Sequence, residues 1–185
     1  EQHTFSPFLM MYPGEGLYCP SDHLDNALQN FVTFSGSEAL CQPQFLCECL
    51  DMLMGRTHRA LQTCGYCERE LFCAVIDKCD LVLYDLKLID KDAHKRYTGV
   101  SNEMIIENYG ILAKSKTPFI TRIPLIPTVT DTENNLDGIA RLMHSLGVRY
   151  VELLPYNKLA GAKYALLGKE YQPSFDGASA VNTRV

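Results

Sequence analysis

Residues Phe31–Leu40 read FVTFSGSEAL. The apolar run Phe31–Phe34 is typical of a buried β-strand, and Ser35-Gly36-Ser37 is typical of a tight loop. Glu38 then precedes a new apolar stretch, which indicates the first turn of a helix. Polar groups therefore gather between a strand and a helix, where free backbone amides can bind a ligand.

Four further β-type runs follow this segment, and each ends in a conspicuous polar residue. They are HRALQT (His58–Thr63), DLVLYDLK (Asp80–Lys87), PFITRIP (Pro118–Pro124) and YVELLPYN (Tyr150–Asn157). Segments of helical character lie between them, at roughly Gln44–Met54, Glu68–Lys78, Asn102–Ala113 and Thr132–Leu146. Strand and helix alternate every ~25 to 35 residues, which predicts parallel βαβ units in a barrel-like or doubly wound α/β domain. Ligands of such folds bind at the carboxyl ends of the strands.

Side-chain alternation along the third predicted strand indicates where a site lies. Successive residues of a strand point to opposite faces, so Leu83, Asp85 and Lys87 share one face. Charged residues thus replace apolar ones on that face towards the end of the strand. This is the end at which a ligand is expected.

The composition predicts a cytoplasmic globular protein of one domain. The 185 residues can bury one sizeable core, and 46% of them are hydrophobic. The formal net charge of -5 offers no electrostatic attraction for nucleic acid or an anionic membrane. The sequence has no apolar run of about 18 residues, and its N-terminus lacks the basic region and long apolar core of a signal peptide.

Eight cysteines leave three explanations open: free core thiols, a metal site or disulfides. The βαβ pattern without a signal peptide makes disulfides the least favoured. Cys64 and Cys67 form a CxxC, Cys73 and Cys79 follow, and four thiolates can hold zinc or an iron–sulfur cluster. A helix over Glu68–Lys78 would, however, separate Cys73 and Cys79 by about 9 Å along its axis, too far to share one ion.

From about Phe31 to Tyr171 the sequence resembles a known family. The likeness is densest over DLVLYDLKLIDKDAHKRYTGVSNEMIIENYGILAKSKTPFITRIPLIPTVTDTENNL and continues through LGVRYVELLPYNKLAGAKYALLGKEY. In the order and spacing of its motifs, the chain resembles the activating enzymes of glycyl-radical enzymes, such as pyruvate formate-lyase activating enzyme. These form a branch of the radical S-adenosylmethionine (SAM) superfamily.

The resemblance implies a fold and its boundaries. It implies a partial parallel (β/α)6 barrel of the radical SAM type, with about five βα units, over residues 31–172. Residues 1–30 stay unassigned, and residues 173–185 are expected to form a C-terminal tail.

The resemblance also implies a SAM site. SGSEA (Ser35–Ala39) takes the place of the family's SGGEP loop, which holds the methionyl amino group. Thr63 follows Gln62 where an acid followed by threonine is usual. Asp85 and Lys87 match the family's DLK motif and Arg122 matches its strand-borne arginine, whereas Asn157 stands where many members have a histidine. The implied SAM-binding residues are Ser35, Gly36, Ser37, Glu38, Thr63, Asp85, Lys87, Arg122 and Asn157.

Each part of SAM requires a particular kind of side chain. Its ammonium requires an acid, which is Glu38. Its carboxylate requires cations, which are Lys87 and Arg122, and its ribose requires polar groups such as Asp85 and Asn157. The alternative for Asp85, Lys87 and Arg122 is an ion-pair network that only closes the end of the barrel.

The implied activity is the reductive cleavage of SAM to generate a glycyl radical on a partner glycyl-radical enzyme, with flavodoxin or ferredoxin as the electron donor. In radical SAM enzymes a CxxxCxxC motif ligates a 4Fe-4S cluster that supplies the electron. No three cysteines of this sequence have that spacing, so a cluster is expected for the family but its ligands are not found here. We therefore expect that the chain is not competent alone, and no catalytic residue is assigned.

Two other functions stay open at this point. One is a non-catalytic module that binds SAM or a partner protein. The other is a cysteine-rich metal-binding protein that keeps the barrel as a scaffold.

Overall fold

The computed structural model of the chain describes residues 31–36 and 38–156. Within these residues there are five β-strands and five α-helices, with one helix between successive strands except for two between the third and fourth, and a short 3-10 helix spans Ala39–Cys41. The strands are β1 (Phe31–Phe34), β2 (His58–Thr63), β3 (Leu81–Asp85), β4 (Phe119–Leu125) and β5 (Val151–Pro155). The helices are α1 (Pro43–Met52), α2 (Arg69–Ile76), α3 (Lys91–Thr98), α4 (Glu103–Leu112) and α5 (Glu133–Ser145).

The five strands form one parallel sheet in the order β1-β2-β3-β4-β5. Phe31 of β1 lies opposite His58 of β2, and Thr121 of β4 lies opposite Val151 of β5. The strand order follows the chain order, whereas a doubly wound sheet reverses its order part-way. The predicted parallel α/β fold with about five βα units is confirmed.

The described residues divide into two compact units. The first takes the residues up to Tyr84 together with Met104–Ile120, and the second takes Asp85–Glu103 and the residues from Thr121 onward. The first unit contains β1, β2 and most of β3. The second contains most of β4 and all of β5.

An aromatic cluster fills the core of the first unit. The ring of Tyr84 lies 6.0 Å from that of Phe72 and 5.3 Å from that of Tyr109. The Tyr84 hydroxyl donates a hydrogen bond to the Ile105 carbonyl at 2.7 Å. Because this hydroxyl is buried, the pKa of Tyr84 is raised well above its usual value, so it remains a neutral donor.

The loop after β2 is fixed against this cluster. Gly65 has φ +74, and a Cβ at this position would lie 2.0 Å from the Tyr84 hydroxyl oxygen. The Asn108 side chain donates to the carbonyls of Gly65 and Cys67, each at 2.8 Å. Only glycine meets both requirements at position 65, the positive φ and the close approach of the ring.

The helices of the second unit begin at polar caps. The Asp90 side chain accepts a hydrogen bond from the Ala93 amide at the start of α3, and Gly99 ends that helix with φ 85. Thr132 caps α5, which buries Leu136, Ile139 and Met143 along one face. This spacing of three and four residues is that of an amphipathic helix.

Two elements of the structure were not predicted from the sequence. The 3-10 helix at Ala39–Cys41 intervenes between Glu38 and the predicted helix, so Glu38 caps the 3-10 helix rather than α1. Helix α3 was not predicted at all, because it carries few apolar residues. The predicted N-terminal segment 1–30 and C-terminal tail 173–185 lie outside the described residues. No helix of the described part is long and apolar enough to span a membrane.

Candidate functional site

The Glu38 carboxylate organises the carboxyl ends of β1 and β2 in the first unit. Its Oε1 accepts hydrogen bonds from the Thr63 hydroxyl at 2.6 Å and from the Leu40 amide at 3.2 Å. Its Oε2 accepts from the Cys64 amide at 3.0 Å and from the Cys64 thiol at 2.9 Å. A carboxylate offers about four acceptor positions, so this protein fills them from its own chain. Glu38 thereby ties the loop after β1 to the end of β2.

The rest of the loop after β1 contacts the same strand end. The Ser35 hydroxyl donates to Oε1 of Gln62 at 3.0 Å. Gly36 is exposed and has φ +146, and no atom of the described residues lies within 4 Å of the position of a Cβ there. Nothing in the described part of the chain therefore covers this side of Gly36. Ser37 lies outside the described residues.

A buried ion pair joins the end of β3 to β4 in the second unit. Nε and Nη2 of Arg122 donate to Oδ1 of Asp85 at 2.9 Å and 2.7 Å. The two side chains are only 10% and 14% exposed, so this charge-assisted pair is largely removed from water. The structure thus brings Asp85 and Arg122 together, as the sequence predicted for one end of the sheet.

Lys87 differs from this pair. It lies two residues beyond Asp85 and is partly buried, yet its ammonium makes no hydrogen bond or ion pair with the described residues. The three-residue network considered from the sequence is therefore a pair, Asp85 with Arg122, that leaves Lys87 available. Asn157, the remaining predicted site residue, lies outside the described range.

Sequence reasoning missed the role of the polar residues that hold these groups in place. Cys64 was considered as a metal ligand, but its thiol faces the Glu38 carboxylate. The side chains of Asn102 and Asn135 bind the backbone that carries Lys87. A local pattern gives no signal for such contacts, because the partners are distant in the sequence.

The second unit also contains an open cavity of about 450 Å³. It lies among the segment after β3, α3 and the segment after β4, and its charged residues are Asp90, Asp92 and Arg96. None of the predicted SAM-binding residues lines it.

No family model matches the sequence. Curated relatives are the isethionate sulfite-lyase activating enzyme of Nitratidesulfovibrio vulgaris, 39% identical over 142 residues, and the trans-4-hydroxy-L-proline dehydratase activating enzyme of Clostridioides difficile, 37% identical over 145 residues. The alignments cover 75% and 76% of this chain but 46% and 48% of those enzymes. The chain thus spans about half the length of the curated relatives that it matches.

The crystal structure of a domain of the pyruvate-formate lyase-activating enzyme from Bacteroides vulgatus is also similar. It is 35% identical, with a TM-score of 0.64, and the match covers 70% of this chain and 82% of that domain. The chain belongs to the glycyl-radical enzyme activating enzymes. A structure of TYW1 with a lysine-pyruvate adduct bound matches at 22% identity and a TM-score of 0.57, over 70% of this chain and 43% of that one, and supports the fold alone.

As radical SAM proteins, the activating enzymes are expected to use SAM, and the donor types of the described residues fit its methionyl part. Lys87 offers an unpaired ammonium to a carboxylate. Glu38 offers a carboxylate, and Gly36 an open backbone, to an ammonium. These are the charges that a zwitterionic amino-acid group requires.

The described cysteines do not fit the 4Fe-4S cluster expected for the family. Among the residues that the structure describes, no three cysteine, histidine or acidic side chains gather where they could hold a metal. The seven cysteines of this part form no disulfide with one another. Burial raises the pKa of Cys67 to about 12 and that of Cys79 to about 12, so both thiols stay protonated near neutral pH.

Proposed function

We propose that this chain is the SAM-binding portion of a glycyl-radical enzyme activating enzyme. The reaction of the whole enzyme would be the reductive cleavage of SAM, with the product a glycyl radical on a partner glycyl-radical enzyme resembling pyruvate formate-lyase. The observation that carries the proposal is the 35% identity to the activating-enzyme domain over 82% of its length. The curated relatives, each an activating enzyme, support the same partner class.

The proposed role of Lys87 is to bind the methionyl carboxylate of SAM. Its ammonium has no counter-charge among the described residues, whereas the guanidinium of Arg122 is already paired with Asp85. A carboxylate that reaches Lys87 therefore gains a charge-assisted hydrogen bond without breaking an existing pair. The proposed role of the Arg122–Asp85 ion pair is to hold the ends of β3 and β4 together beside that contact.

The proposed role of Glu38 is to bind the methionyl ammonium, together with the backbone of Ser35, Gly36 and Ser37. Because the acceptor positions of Glu38 are filled, one of its present donors has to yield to the ligand. A thiol is the weakest of these donors, so the Cys64 thiol is the group that yields. The Thr63 hydroxyl and the two backbone amides then keep the carboxylate in place.

One part of the proposal concerns the whole enzyme, whose electron donor would be flavodoxin or ferredoxin. Within this chain, the polar groups proposed to meet the ribose are Asp85, beside its pair with Arg122, and Asn157. None of the described cysteines is assigned a role in electron transfer.

The proposal is tested by measuring SAM binding to the 185-residue chain by equilibrium dialysis with labelled SAM. We expect Lys87→Ala to weaken binding by about 1.5 to 3 kcal/mol, which is about ten-fold to more than a hundred-fold. Lys116→Ala, which removes an exposed lysine, is the matched control and should leave binding unchanged. Absence of SAM binding by the unmodified chain, or equal affinity for the Lys87→Ala variant, would refute the proposal.

A further inference from the structure

The segment after β3, residues 86–89, lies beyond the end of the strand at Asp85. The Leu86 amide still donates to the carbonyl of Arg122 in β4 at 2.9 Å. In Lys87, Leu88 and Ile89, two asparagine side chains bond four of the backbone groups.

Asn135, near the start of α5, supplies the first set of these bonds. Its Nδ2 donates to the Lys87 carbonyl at 2.9 Å, and its Oδ1 accepts from the Ile89 amide at 2.8 Å. In a parallel sheet, one residue of the neighbouring strand bonds the same two groups, a carbonyl and the amide two residues later. The side-chain amide of Asn135 therefore extends the ladder of β3 by one position.

Asn102 supplies the second set, from the segment before α4. Its Nδ2 donates to the Leu88 carbonyl at 3.0 Å and to the Ile89 carbonyl at 2.8 Å. Asn102 and Asn135 are only 4% and 5% exposed, so water does not compete for these bonds. Leu86 and Leu88, on either side of Lys87, are 2% and 7% exposed and anchor the segment in the core.

These contacts fix the backbone of Lys87 on both sides, while its ammonium has no partner among the residues that the structure describes. A long lysine side chain loses about 2 kcal/mol of rotamer entropy when it is held in one place. A backbone that also moved would add to this cost when a ligand binds. The fixed backbone thus reduces the ordering that binding requires.

We propose that Asn135 is a positioning residue that, with Asn102, holds Lys87 where its ammonium meets the carboxylate of the ligand. The proposal rests on the SAM-binding function proposed above. It makes Asn135 act only through Lys87 and only on the carboxylate end of the ligand.

The experiment measures the binding of two ligands to the unmodified chain and its variants by equilibrium dialysis. SAM carries the methionyl carboxylate, and decarboxylated SAM lacks it but keeps the ammonium, sulfonium and adenosine. Asn135→Ala should weaken SAM binding about ten-fold, the scale of a lost buried hydrogen bond, and leave binding of decarboxylated SAM unchanged. Asn134→Ala, which removes the exposed neighbouring asparagine, should change neither affinity.

A double-mutant cycle provides the second readout. In a Lys87→Ala background, Asn135→Ala should cause no further loss of SAM affinity, because its effect passes through the lysine. Circular dichroism verifies that each variant is folded at the temperature of the binding measurement. If Asn135→Ala does not fold, Asn135→Asp carries the same test, since it keeps an acceptor for the Ile89 amide and loses the donations to the carbonyls of Lys87 and Thr130.

The outcomes separate this proposal from the one on which it rests. If the unmodified chain binds neither ligand, both proposals fail. If it binds SAM but Asn135→Ala weakens both ligands equally, or the losses from Lys87→Ala and Asn135→Ala simply add, the positioning role alone is refuted. A loss confined to SAM and absent without Lys87 supports it.

Discussion

Replacing Gly65 with alanine should destabilise the first unit strongly, for two separable reasons. An alanine at φ +74 costs about 1 to 2 kcal/mol in backbone conformation. Its Cβ would also lie 2.0 Å from the Tyr84 hydroxyl oxygen, in a fully buried cluster. Relieving that clash costs a further ~1 to 3 kcal/mol, as overpacked cores do. We expect a total loss of about 2 to 5 kcal/mol in the free energy of unfolding.

Gly55 provides the matched control in the same unit. It has φ +69, and no atom lies within 4 Å of its Cβ position, so Gly55→Ala carries the backbone cost alone. Urea unfolding followed by circular dichroism measures both variants. With a slope of about 2 kcal/mol per molar urea, the midpoint should fall by about 1 to 2.5 M for Gly65→Ala and by about 0.5 to 1 M for Gly55→Ala. Equal midpoints for the two variants would refute the assignment of a close contact between Gly65 and Tyr84.

Two further predictions concern acid stability and catalysis. The hydrogen bond from Arg59 lowers the pKa of Asp80, so the pair stabilises the fold fully above the ordinary aspartate pKa and loses this contribution as the pH falls through the lowered value. Urea midpoints below about pH 4 should therefore fall more steeply for the unmodified chain than for Asp80→Asn, and parallel curves would contradict this reasoning. The 185-residue chain, incubated anaerobically with iron, sulfide, SAM and dithionite, should produce no 5′-deoxyadenosine; a product that disappears on mutating Cys64 or Cys67 would show that the CxxC binds a working cluster.

The strands could be predicted from the sequence because each is a short apolar run with a clear end. The prediction of four helices succeeded for the same reason, since α5, for example, buries Leu136, Ile139 and Met143 at regular spacing. Helix α3 has no such stripe, because His94 is its only buried residue. Its signals were the caps, Asp90 before the helix and Gly99 after it, which mark the ends of a helix even when its face is polar.

The pairing of Asp85 with Arg122 was among the alternatives considered from the sequence, but the partners of Glu38 and of the backbone around Lys87 were not predicted. Alternation along β3 gave the face of Asp85 and Lys87, and the strand ends gave Glu38 and Thr63. The bonds that fix these groups join residues far apart in the chain: Cys64 and Glu38 are 26 positions apart, and Asn135 and Lys87 are 48 apart. Such pairs depend on how helices and strands meet, and no period within one element encodes them.

The hydrogen bonds of Glu38 have a consequence for any attempt to re-engineer this protein. Glutamine has nearly the same shape as glutamate, but its NH2 group is a donor. In Glu38→Gln this NH2 group would face groups that are themselves hydrogen-bond donors, so the hydrogen bonds on that side would be lost. The same lone pairs join two loops of the fold and, in the proposed function, would also bind the methionyl ammonium. A substitution of Glu38 should therefore change both the stability of the fold and the affinity for the proposed ligand.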